Sequence, residues 1–169
     1  MAGYGDDTAF NAWLAENGLT LPVGAPSVAV LRQVGSGYVD AAYEWKLSCS
    51  TRTRGFTQER AWPRTGASVY NAAVPSDLIP PQWIQASYRA AYLQAVTPGW
   101  ATGGLNPSRM TKREKAGEVE REFFEAGKGG VIGNAAPGFN VDPLIDGWLS
   151  LWLCDQVGDG ALGIWSIGS

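Results

Sequence analysis

The sequence predicts a mainly α fold, a small bundle of about four helices with a β-hairpin arm and an extended C-terminal tail. Three observations carry this expectation. Four stretches repeat apolar residues at spacings of three and four, and each is opened by a capping residue or a proline. One charged stretch, "RMTKREKAGEVEREFFEAG", has small residues at its centre where a tight turn fits. The end, "DQVGDGALGIWSIGS", carries little charge yet holds Leu162, Ile164, Trp165 and Ile167.

A first helix is expected in "DDTAFNAWLAENGL", with Asp6 or Asp7 as its cap, Phe10, Trp13 and Leu14 on one face, and Gly18 as its stop. "LPVGAP" reads as a linker. Ser27 caps a second helix running to about Trp45, in which Val30, Leu31, Val34, Tyr38, Ala41, Ala42 and Trp45 recur in phase. Gly35 and Gly37 either weaken that helix or let another approach it closely. "SCSTRTRGFTQERAWPRTGAS" is mostly loop, with room for one helical turn around 57–61, and "AAVPSDLIPPQW" is a second irregular stretch.

Pro80 and Pro81 open a third helix, because a missing amide hydrogen costs nothing in a first turn. It stops before Pro98, and Ile84, Tyr88, Ala91, Tyr92 and Ala95 form its apolar stripe. Residues 109–125 allow a helix or a hairpin. A helix sets Glu114 and Glu118 four apart, where they repel, and buries a glycine at its middle. The hairpin is therefore favoured, turning at Ala116-Gly117. That register sets Lys115 against Glu118, Arg113 against Glu120 and Met110 against Phe123, with Lys112 and Arg121 as a like-charged pair. After the glycine-rich "GKGGVIGNAAPGFN", Asp142 caps and Pro143 opens a last helix. Leu144, Trp148, Leu151 and Trp152 share one of its faces, with Ile145 and Leu149 beside them. This gives a helical domain over 1–155 and a docking tail over 156–169.

Composition narrows the function. The 169 residues include eight Trp, and tryptophan is favoured at packed interfaces, so assembly is expected. The formal net charge is −3, whereas a dedicated nucleic-acid binder usually carries a basic excess. Charge is segregated: Arg52, Arg54, Arg60 and Arg64 face only Glu59 in their stretch, and a basic run at 109–115 precedes Glu118, Glu120, Glu122 and Glu125. The absence of histidine removes the usual serine–histidine and cysteine–histidine devices and the commonest zinc ligand. "GKGG" lacks the spacing of a phosphate-binding loop. No enzyme activity, catalytic residue, cofactor or metal is expected. Cys49 and Cys154 are far apart and nothing marks the chain as secreted, so they are not expected to pair. "WLSLWLC" is far too short to span a bilayer, and no membrane partner is expected.

The stretch "RAWPRTG" admits two readings. Arginines beside Trp62 and Phe56 are able to hold phosphates while a ring stacks on a base. The favoured reading is a rigid corner in which Trp62 plugs the core, Pro63 sets chain direction and Arg64 bonds to carbonyls or an acidic neighbour.

Four motifs then accumulate in order: "AWPRTG", "VPSDLIPPQWIQASYRAAYLQA", "MTKREKAGEVEREF" and "VDPLIDGWLSLWL". Over roughly residues 5–153 the sequence resembles the tailed-phage head-tail connector family, also called adaptor or head-completion proteins. Its members often carry the description DnaT-like single-stranded-DNA-binding protein. Trp62, Pro63 and Arg64 match its tryptophan-proline-arginine motif, and Ile79 and Pro80 its isoleucine-proline helix start. The run from Lys112 to Glu122 matches its basic-to-acidic segment, and Asp142 and Pro143 match its terminal helix.

The resemblance implies a structural virion protein at the head-tail interface, made in the host cytoplasm. It implies a homo-oligomeric ring of about twelve copies that binds the portal protein and a stopper or tail-completion protein. Double-stranded DNA would pass through without sequence-specific contact. In that role Trp148, Trp152, Leu162, Ile164, Trp165 and Ile167 would dock on the portal. Lys112, Arg113, Lys115, Glu118, Glu120 and Glu122 would pair between subunits or face the channel. The alternative is single-stranded-DNA binding through the basic and aromatic segment from Arg52 to Arg64.

Overall fold

The computed structural model describes residues 2–102, 113–116, 119–122, 134–136 and 138–154. In chain order the elements are α1 (Asp7–Glu16), α2 (Val28–Tyr43), β1 (Thr51–Arg52), β2 (Arg64–Thr65), β3 (Ser68–Val69), β4 (Ala72–Ala73), α3 (Pro81–Val96), β5 (Arg113–Ala116), β6 (Val119–Glu122) and α4 (Pro143–Ser150). Short 3-10 turns occupy Glu44–Lys46 and Gly55–Thr57. The strands form three separate antiparallel pairs: β1 with β2, β3 with β4, and β5 with β6.

At α1 and α4 a side chain supplies the missing partners, whereas Ser27, the expected cap of α2, makes no capping bond. Asp6 Oδ1 accepts from the Ala9 amide at 2.8 Å, and Asp142 Oδ1 accepts from the amides of Leu144 and Ile145, both at 3.1 Å. Pro81 occupies the first turn of α3. The central packing is α2 on α3, and Gly35 permits it. A Cβ built on Gly35 would lie 2.6 Å from the Ala91 backbone nitrogen, so any side chain there would push the two helices apart. Two clusters form the core. Phe10, Trp13 and Leu14 of α1 close over Leu31 and Tyr88. On the other side Tyr38, Val39, Ala42 and Tyr43 of α2 meet Trp62, Trp83, Ile145 and Leu149.

The expected helical bundle is corrected to a mixed α/β fold. At about 1.5 Å per residue, ten-residue α1 and eight-residue α4 are too short to run beside sixteen-residue α2 and α3 as equal bundle members. The remaining side of the core is closed by irregular chain between α2 and α3, pinned by the β1–β2 and β3–β4 pairs. Trp62, from that irregular segment, is buried in this core beside Trp83, Ile145 and Leu149. The face of α4 is also rotated from expectation. Ile145 and Leu149 are fully buried, while Leu144 and Leu151 are exposed, because α4 touches the body along one narrow stripe.

The hairpin forms, but in a different register. The register sets Arg113 against Glu122, Glu114 against Arg121, Lys115 against Glu120 and Ala116 against Val119. Three of the four cross-strand pairs now carry opposite charges, and Arg121 is no longer set against Lys112. Lys112, Glu118, Met110 and Phe123 lie outside the described residues.

The cysteines also correct the sequence reading, since Cys49 and Cys154 form a disulfide with their Cα atoms 5.8 Å apart. The chain after α4 returns to the end of α2, where the Cys154 amide donates to the Lys46 carbonyl at 2.9 Å. A sequence separation of 105 hid this proximity.

Candidate functional site: the Trp62-Pro63-Arg64 corner

The corner is built from residues that cannot continue a helix. Pro63 lacks an amide hydrogen, and the Trp62–Pro63 peptide is cis. Gln58, itself buried, holds the loop shape: its Nε2 donates to the carbonyls of Arg60 at 2.8 Å and Pro63 at 2.9 Å, and its Oε1 accepts from the Arg54 amide at 3.1 Å. Trp62 is turned inward at 2% exposure, packing against Trp83 and, edge on, against Trp152 at 5.7 Å between ring centroids.

Arg64 is turned inward as well. Its Nε donates to Ser50 Oγ at 2.7 Å, and its terminal nitrogens donate to the carbonyls of Leu47 at 2.9 Å, Ala61 at 3.1 Å and Ser50. Glu44 Oε1 completes the set at 3.3 Å. Arg52 grips the same Glu44 with two 2.6 Å bonds, one to each carboxylate oxygen. Burial alone would push the Glu44 carboxyl up. The Arg52 hydrogen bonds and the charges of Arg52 and Arg64 outweigh that and hold it below its usual range.

A second buried network backs the corner. Asp40 Oδ1 accepts from Tyr4 Oη at 2.7 Å and from Trp83 Nε1 at 3.2 Å, while Arg60 lies 3.4 Å from Oδ2. The Tyr4 hydroxyl in turn accepts from the Trp62 amide at 3.2 Å. Burial pushes the Asp40 carboxyl above its usual range despite these donors, and burial beside Asp40 pushes the Tyr4 hydroxyl up too. The segment bearing Tyr4 is tied down by Arg32, which donates to the carbonyls of Gly3, Tyr4 and Gly5 at 3.3, 3.0 and 2.7 Å.

The sequence-predicted residues therefore separate. Trp62, Arg64, Arg52 and Arg60 come together around Glu44 and Asp40. Arg54 and Phe56 stay outside, both exposed. Trp148 and Trp152 are half-buried in this chain's own core. Arg113, Lys115, Glu120 and Glu122 are hairpin positions, and Leu162, Ile164, Trp165 and Ile167 lie outside the described residues. Sequence reasoning missed Asp40, Glu44, Tyr4 and Gln58. Asp40 left a signal, because a lone carboxylate in phase with Ser36, Val39 and Tyr43 on a buried helix face requires a cationic or hydrogen-bonding partner.

What these residues define is a small mixed α/β domain whose arginine-tryptophan corner locks its own interior. The chain belongs to the family described as "Putative DnaT-like ssDNA binding protein", which it matches over residues 4–161. No curated protein and no solved structure matches it.

Proposed function

We propose that the chain is a structural subunit of a phage head-tail connector, a ring seated between the portal and the stopper or tail. The observation that supports this reading is the inward use of the basic segment. Arg52, Arg60 and Arg64 each have a carboxylate partner, and Trp62 is buried, so the residues best suited to grip a nucleic acid hold the fold together instead. A channel wall that lets DNA slide needs few free cations, since each phosphate contact by Lys or Arg adds affinity through counterion release. The opposite charges at three of the four cross-strand pairs of β5 and β6, and the net charge of −3, fit that demand.

Single-stranded-DNA binding is the second reading, and the family's description favours it. On this fold it would rest on Arg54 and Phe56, the exposed cation and ring of the loop between β1 and β2. A titration with a labelled oligothymidine at several salt concentrations separates the two. The connector reading expects no saturable binding at physiological salt. Tight binding that weakens steeply with salt and is lost in Arg54→Ala and Phe56→Ala would establish the second reading instead.

A further inference from the structure

The solvent side of α2 is an uncharged stripe. Val30, Val34, Gly37 and Ala41 follow one another at helical spacing, and Trp45 continues the line from the 3-10 turn after α2, where the Lys46 ammonium lies 5.2 Å from its ring centroid; Val30 and Trp45 are each 48% exposed. Midway along, Val34, Gly37, Tyr38 and Ala41 join Ala101 and Phe139 around an open depression of about 310 Å³. Arg60 is its single charged lining residue among those described, and that guanidinium is already engaged by Asp40 and the Ala2 carbonyl. Exposed apolar surface gathered along one helix face is a candidate contact site.

The chain itself supplies a suitable occupant at the correct end. The disulfide to Cys49 and the bond from the Cys154 amide to the Lys46 carbonyl fix the root of the following segment beside Lys46, just past the end of α2. From Asp159 onward that segment has no further charge up to residue 169, and it carries Leu162, Ile164, Trp165 and Ile167. Sixteen-residue α2 is about 24 Å long, and an extended chain covers about 3.3 Å per residue, so residues 162–167 are able to reach the whole stripe. These residues also lie beyond the stretch that matches the family, which ends at 161.

We infer that residues 160–167 dock in cis along the Val30–Ala41 face of α2, with an apolar side chain seated in the depression. A segment tethered this closely acts at an effective concentration in the millimolar range, so at micromolar protein it outcompetes the same segment of a second copy. The inference does not depend on the connector reading. If that reading holds, the docked segment is a covered sticky end that a partner must displace.

The test uses the full chain with the photocrosslinker p-benzoylphenylalanine at the part-exposed position Val34, irradiated at low micromolar concentration and mapped by mass spectrometry. Adducts within one chain to residues 160–167 are expected. Adducts that avoid this segment overturn the inference. So do adducts between two chains whose yield rises with concentration, which would give the face to a second copy. As an independent readout, Ala41→Arg places a charge on the face at an exposed position and should leave the domain folded, with its far-ultraviolet circular dichroism unchanged. Hydrogen exchange should then show loss of protection at 160–167, and unchanged protection there also overturns the inference.

Discussion

Arg64 Nη1 lies 3.3 Å from Glu44 Oε1, and around this pair the guanidinium satisfies three backbone carbonyls and one serine hydroxyl. The arrangement ties the end of α2 to the corner that delivers Trp62 to the core. It uses the planar fork of arginine, which a lysine cannot reproduce.

Arg64→Ala is therefore expected to destabilise the fold by about 3 kcal/mol or more, since it leaves buried carbonyls without donors and Glu44 with one cation fewer. Arg64→Lys should recover less than half of the loss. Urea denaturation of the three proteins measures this, and full recovery by lysine would show that charge alone is what the site needs.

Trp62→Ala removes a fully enclosed ring between Trp83 and Trp152, and should cost about 3–5 kcal/mol. A thermal melt unchanged from the parent protein would reopen the reading of "RAWPRTG" as a recognition loop.

The Cys49–Cys154 bridge closes a long loop in the unfolded chain, so Cys49→Ser should lower stability by about 2–5 kcal/mol. Reductant should lower the melting temperature of the parent and leave that of the variant alone. If both proteins respond alike, or if intact-mass analysis finds two free thiols after air oxidation, the bridge does not form.

Acid should weaken the fold through Glu44. Its folded-state carboxyl titrates below the unfolded value, so the stability it contributes is complete above the ordinary carboxylate range of about 4.3 and is lost as pH falls through its lower folded-state value. Asp40 has the opposite sign: its folded-state carboxyl titrates above the unfolded value, so its ionised form costs stability at neutral pH and acidification relieves that cost. Melts across the acid range should show a shallower acid loss in Glu44→Gln than in the parent. Equal slopes would remove Glu44 from the account.

Three of the four helix starts were legible from boundary chemistry, while Ser27 precedes α2 without capping it and α2 ends at Tyr43, short of Trp45. Asp6, Pro81 and Asp142 mark starts that the structure keeps, and Gly35 announced a close helix contact. The architecture was less legible. The β1–β2 and β3–β4 pairs are two residues each, too short to leave an alternating pattern, and Tyr70 and Asn71 turn between β3 and β4 with positive φ and no glycine. The partners of the corner were hidden for a different reason. Glu44 and Asp40 are held by arginines 8 to 20 residues away, and the bridge from Cys49 spans 105, distances that no local spacing encodes.

The most direct measurement is the mass of the purified 169-residue chain, alone and after mixing with a tailed-phage portal protein. The connector account predicts a ring of fixed copy number on the portal. A chain that leaves the portal bare and instead saturates on single-stranded DNA at physiological salt would contradict it.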